Sequence, residues 1–254
     1  MNKRFFYLLF SFVIVLAIGA FVNVKYSKNL SNVTPASTLT VKISSSPSAS
    51  LPSSALPTPT STQTPNSYLI ENFPFQSQAP DANWDELHDE ACEEASLILT
   101  HYYLNNKDVS VQEMEDQIQK MVNWEIENWG SHKDLTVKET GSLAKSFYGD
   151  QNFEIKNDIT IEDVKKEIVN GYPVIIPTAG RLLGNPNFRS PGPVYHMVVA
   201  IGYDSDTIIV QDVGTRNGDH YRYNEKILYN AIHDWTGNPE TIEDGQKTML
   251  VFKN

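Results

Sequence analysis

Residues 1–67 contain neither Asp nor Glu, and all 31 acidic residues of the chain follow them. This break divides the sequence into parts that cannot share one fold. The first part, 1–28, holds an uncharged apolar run from Phe5 to Val22 behind Lys3 and Arg4. A helix needs about 20 such residues to cross a bilayer. The two cations before the run predict a cytoplasmic N-terminus and an exported remainder. Ala17, Gly19 and Ala20 near its end also fit a cleaved signal peptide. Two outcomes are therefore expected: a single-pass protein of the cell membrane with its domain outside, or a secreted one if the segment is cleaved. Residues 29–67 are dominated by Ser, Thr and Pro. They bury too little apolar surface to offset the entropy of ordering, which predicts a disordered tether.

Folding is thus left to 68–254, a length suited to one domain with a real core. It carries 15 of the 20 basic residues against all the acidic ones. That balance argues against nucleic acid and anionic lipid as partners of the domain. The single cysteine, Cys92, allows no intrachain disulfide. It is a dimer link, a reactive thiol or an inert buried side chain.

Periodicity predicts helices first. One is expected over Glu90–Leu104 with Asp89 as N-cap, one over Val111–Val122, one within Lys138–Tyr148, and one opening at Thr160 and closing at Gly171. Strands follow at Pro173–Pro177, His196–Tyr203 and Thr207–Val213, the last two apolar at nearly every position. A helix over Asn224–Trp235 and a strand over Thr248–Phe252 complete the chain. The fold class is α+β: N-terminal helices packed on a mostly antiparallel sheet.

The chemistry-bearing residues fall at element ends. Cys92 belongs to the first turn of its helix, where unpaired N–H groups favour thiolate. Asp89, Glu90, Glu93 and Glu94 oppose a second negative charge there, so activation needs a cationic partner. His196, at the start of a strand, is the candidate; a packed structural histidine is its bland reading. Asp212 on the next strand reaches His196 if the hairpin loop is the three residues 204–206. A two-residue loop would put the pair on opposite faces. Gln78 is the candidate side-chain oxyanion donor, with Gln76 as the fallback. The loop from Gly180 to Val194 is expected to line the cleft. Gly180, Arg181, Asn185 and Tyr195 are its substrate-binding candidates, and Arg189 shares with Arg181 the role of meeting a substrate carboxylate. No cofactor is expected. A metal bound by Cys92, His196 and Asp212 is disfavoured because no closely spaced ligand set accompanies them.

The segments FPFQSQAPDANWD, HDEACEEASLIL, GYPVIIPTAGRLLGNPNF, GPVYHMVVAIGYD and IIVQDVGTRNGDHY resemble, in collinear order, the peptidase C39-like family. The resemblance implies a papain-like cysteine peptidase fold and a bacterial source. It also implies Cys92 as nucleophile, His196 as general base, Asp212 as orienting acid and Gln78 as oxyanion glutamine. Two departures stand out: Glu90-Ala91 where many relatives have Gly before the Cys, and Val213 where Pro is common. The expected activity is hydrolysis of a peptide or protein substrate, a cell-wall peptide among the candidates, through a thioester. Acyl transfer of the transglutaminase kind and a non-catalytic cell-surface peptide-binding module are the alternatives.

Overall fold

The computed structural model describes residues 64–253. The expected membrane segment at 1–28 and most of the expected linker lie outside the described residues. Among the described residues no helix is long and apolar enough to cross a membrane.

In chain order the elements are β1 (Ser67–Leu69), α1 (Glu86–Asp89), α2 (Cys92–Leu104), α3 (Val111–Trp129), α4 (Val137–Leu143) continued by a π turn, β2 (Phe153–Asn157), α5 (Ile161–Val169), β3 (Val174–Ala179), β4 (Tyr195–Asp204), β5 (Thr207–Gln211), β6 (Tyr221–Asn224), α6 (Glu225–Ala231) and β7 (Thr248–Phe252). The strands form one sheet in the order β2-β7-β3-β4-β5-β6, with β1 paired to the far end of β4. Every pairing is antiparallel. Helices therefore precede most of the sheet, as the α+β reading expects.

Local chemistry explains the helix boundaries. Ser110 caps α3 reciprocally with Glu113, and Gly130 ends it in a left-handed conformation at φ 88°. Met114, Ile118, Met121 and Val122 form its buried stripe. Thr160 caps α5 with Asp163 in the same way. In α2, by contrast, every residue from Cys92 to Thr100 is buried. A helix covered all round is a central element, and α2 packs on both β4 and α3.

The expected start of that helix is corrected. Asp85, not Asp89, is the capping carboxylate: it accepts from the His88 backbone N–H at 3.1 Å. The short α1 uses that cap and ends at Asp89. A new helix then begins behind Ala91, which offers no side-chain cap. Cys92 is consequently the first helical residue rather than the third.

The β4–β5 hairpin is corrected in an informative way. Asp204 pairs with Thr207, so the loop is the two residues Ser205 and Asp206. Taken alone, this register would send His196 and Asp212 to opposite faces. Ile201 intervenes. Gly202 pairs with Ile209 and Ala200 with Val210, leaving Ile201 as an extra residue. A bulge of one residue shifts the pairing by one. From Ala200 onward the register is the one a three-residue loop would have given, and Val199 pairs with Gln211.

Candidate active site

Four segments meet at one end of the sheet: the chain before α1, the start of α2, the start of β4 and the chain leaving β5. Between them lies a cavity of about 810 Å³ lined by Gln78, Cys92, Tyr195 and His196, among others.

The imidazole is fixed first. His196 Nε2 lies 2.8 Å from Asp212 Oδ1. Both side chains are almost wholly buried. Phe188 packs edge-on against the ring. Asp212 is itself held by three further donors. Asn185 Nδ2 donates at 2.9 Å and the Tyr223 hydroxyl at 2.5 Å, both to Oδ2, while the Gly214 N–H donates to Oδ1 at 3.0 Å. Burial would raise the Asp212 carboxyl. The His196 charge and hydrogen bond, then the Tyr223 and Asn185 bonds, outweigh it and hold the carboxyl below its ordinary value. An ionised Asp212 is the state that stabilises an imidazolium.

Cys92 opens α2, which packs on β4. The Met197 backbone, next to His196, acts to lower the thiol but is outweighed. The thiol donates to Glu93 Oε2 at 2.9 Å. Glu93 is wholly buried and also accepts from the Leu135 N–H at 2.7 Å. Burial and then Glu93 push the Cys92 thiol well above its ordinary range, while burial and the Glu94 and Asp134 charges raise the Glu93 carboxyl as well. Burial and the neighbouring acids thus outweigh the helix terminus at Cys92. Attack on a carbonyl would require His196 to take the proton as the bond forms.

Gln78 is buried at the cavity wall, and its backbone N–H donates to Val213 O at 2.8 Å. Its side-chain Nε2 donates to His88 O at 2.7 Å and Asp89 O at 3.2 Å. The amide nitrogen is thus engaged by two backbone carbonyls. Gln76 is engaged elsewhere, donating to Val109 O. The substrate-binding expectations divide. Tyr195 lines the cavity and donates its hydroxyl to Leu135 O; Arg189 also lines it. Gly180, Arg181 and Asn185 do not line it. Gly180 is buried under Pro193. Arg181 borders a separate recess of about 200 Å³. Asn185 turns inward to Asp212 and Tyr223, so it positions the carboxylate instead of facing a ligand. Sequence reading missed Tyr223, whose bond to Asp212 joins positions that no local pattern links; Glu93 was named only as one of four acids near the sulfur.

The model of the Peptidase_C39 like family matches residues 70–238. A solved structure of a presumed C39-like peptidase from Bacillus anthracis is similar, at 19% identity and a TM-score of 0.49, covering 74% of this chain and 98% of its own. A cysteine protease from Carica candamarcensis is similar at 14% identity and a TM-score of 0.36, covering 75% of this chain and 99% of its own. No curated protein matches the chain. The family match spans the cysteine, the histidine and the aspartate described above, and it extends over most of the sequence. The resemblance read from the residues is therefore borne out, and the chain belongs to the peptidase C39-like family.

Proposed function

We propose that this protein is a cysteine peptidase that works outside the cytoplasm, tethered through residues 5–22. The observation that carries the reading is the shared cavity. Cys92 and His196 line it together, and Asp212 holds the imidazole from behind. In the proposed reaction a substrate carbonyl seats against Cys92. His196 removes the thiol proton as sulfur attacks. The Cys92 N–H at the start of α2 and the Gln78 amide receive the oxyanion. His196 then protonates the leaving amine, and water cleaves the thioester with His196 as base. Neither a preformed thiolate nor a metal is needed for these steps.

The substrate is proposed to be a peptide or protein, with cell-wall peptides one candidate. The extracytoplasmic placement rests on the apolar run behind Lys3 and Arg4. The test is a proteome-derived peptide library incubated with the purified full chain. Cleavage that disappears in both Cys92→Ala and His196→Ala is expected. Cleavage that survives either substitution would overturn the assignment.

A further inference from the structure

Away from the cavity, three side chains converge without partners. Glu94 on α2 and Glu125 on α3 are both wholly buried. Among the described residues, none of their four carboxylate oxygens has a hydrogen-bond partner. His132, in the loop between α3 and α4, turns its Nε2 toward them, and that nitrogen is also buried and unpartnered. It lies 3.4 Å from Glu94 Oε1. One ligand atom from each residue falls within 4.8 Å of the other two.

Two buried carboxyl groups facing each other are costly to ionise: burial and then the Glu94 charge push Glu125 up to about 11. A single imidazole edge cannot satisfy four oxygens. A cation of charge two can. The donor set of one nitrogen and two oxygens selects its class. Calcium and magnesium take all-oxygen shells, whereas imidazole favours first-row transition ions. Ligands on a tetrahedral zinc at about 2.1 Å sit roughly 3.4 Å apart, the separation His132 and Glu94 already have. The histidine side chain is 10% exposed, with its Nε2 on the buried side.

We propose that Glu94, Glu125 and His132 form a binding site for one divalent transition-metal ion, best suited to zinc. None of the three lines the cavity of Cys92 and His196. The ion would tie together α2, α3 and the loop between α3 and α4, bracing the helix that carries the nucleophile. Its role is structural, and the proposal stands whether or not the cavity is a peptidase site.

The test uses the full chain carrying Cys92→Ala, so that the cavity thiol cannot capture metal. Zinc is titrated by calorimetry, and melting temperature is followed with zinc and with chelator. One equivalent bound, with a rise of several degrees in melting temperature, is expected. Glu125→Gln and His132→Ala should each weaken binding at least tenfold. Calcium or magnesium should not compete. Failure to bind zinc would overturn the proposal, with a proton shared between Glu94 and Glu125 then accounting for the cluster. Binding unchanged in both variants would also overturn it. Should a variant not fold, X-ray absorption of the zinc-loaded parent decides: a shell of one imidazole with oxygen donors supports the site, and an oxygen-only or multi-imidazole shell refutes it.

Discussion

His196 Nε2 stands 2.8 Å from Asp212 Oδ1, and the two share a face because Ile201 is an extra residue in β4. A two-residue hairpin loop and a one-residue bulge each shift the register by one, and together they restore the alignment the pair needs. The contact is then reinforced from behind by Asn185 and Tyr223, which approach Asp212 from separate parts of the chain. The carboxylate's position is thus fixed from several directions, which keeps it and the imidazole from drifting apart.

Asp212→Asn is expected to preserve the shape of this arrangement and to lose its chemistry. The new amide presents hydrogens where Tyr223 and Asn185 already donate. It also withdraws the charge that stabilises an imidazolium. On the proposed mechanism, loss of the orienting carboxylate costs on the order of a hundredfold or more in turnover. Stability should respond with a definite sign. The native carboxyl is held below its ordinary value of 3.8. Its ionised form therefore contributes stability above about pH 4, and that contribution is lost as pH falls through the lower folded value. Melting curves of parent and variant should differ most above pH 4 and converge in acid. A difference that grows toward low pH would refute the account.

The element types of the domain were largely legible because they rest on local patterns: the helix start at Thr160, the apolar strands around Val198 and Val210, and the apolar run of β7. Cys92, His196 and Asp212 were legible as residue types at element ends. What escaped was set by distant contacts. The break between α1 and α2 depends on His88, whose ring nitrogens meet Asp85 at 2.7 Å and Glu115 at 2.9 Å. Glu115 is 27 residues away, beyond any local window. Gly202, next to Ile201, is the local sign of the bulge, but a lone glycine within an apolar strand does not fix where the register shifts. Strands β2 and β6 are half exposed and short, so their alternation is weak. Asn185 reads as a polar loop residue until the fold turns it inward.

Glu93→Gln tests the brake on the nucleophile. Glu93 Oε2 accepts the thiol proton's hydrogen bond and so favours the neutral thiol. A glutamine keeps an oxygen for the Leu135 N–H and presents an amide donor to the sulfur. Thiolate is then favoured instead. Iodoacetamide should label Cys92 about threefold faster or more at neutral pH, while the parent reacts no faster than an ordinary thiol. Equal rates in the two proteins would show that Glu93 does not govern the sulfur.

His88 clamps the turn before Cys92 to α3. Burial lowers its basicity, but the bonds to Asp85 and Glu115 more than compensate and raise it above its ordinary value of 6.5. A group raised on folding contributes stability that is full below about pH 6.5 and is lost as pH rises through the folded value. His88→Asn should therefore destabilise the protein most in mild acid, by about 1–3 kcal/mol for the hydrogen bonds lost. Denaturant titrations at pH 5.5 and pH 9 check this. A larger penalty at the alkaline end would contradict the assignment of a protonated clamp.

Gly214→Ala separates the site from the fold. Continuing the β4–β5 register past Val199 and Gln211 puts Gly214 opposite His196. A methyl group there would stand 2.8 Å from His196 Cε1, 3.0 Å from Nε2 and 3.0 Å from Phe188 Cε1. No backbone atom is among those neighbours, and its φ lies outside the left-handed region, so alanine strains side chains alone. The ring is the part that must move, and a small rotation already spoils its bond to Asp212. Turnover should fall tenfold or more, with a loss of melting temperature of only a few degrees. Gly218→Ala provides the contrast. Its methyl would lie 1.8 Å from the carbonyl oxygen of Asp212, where the backbone itself must yield. That variant should lose activity and stability together. If Gly214→Ala keeps full turnover, the imidazole position is not what limits the reaction.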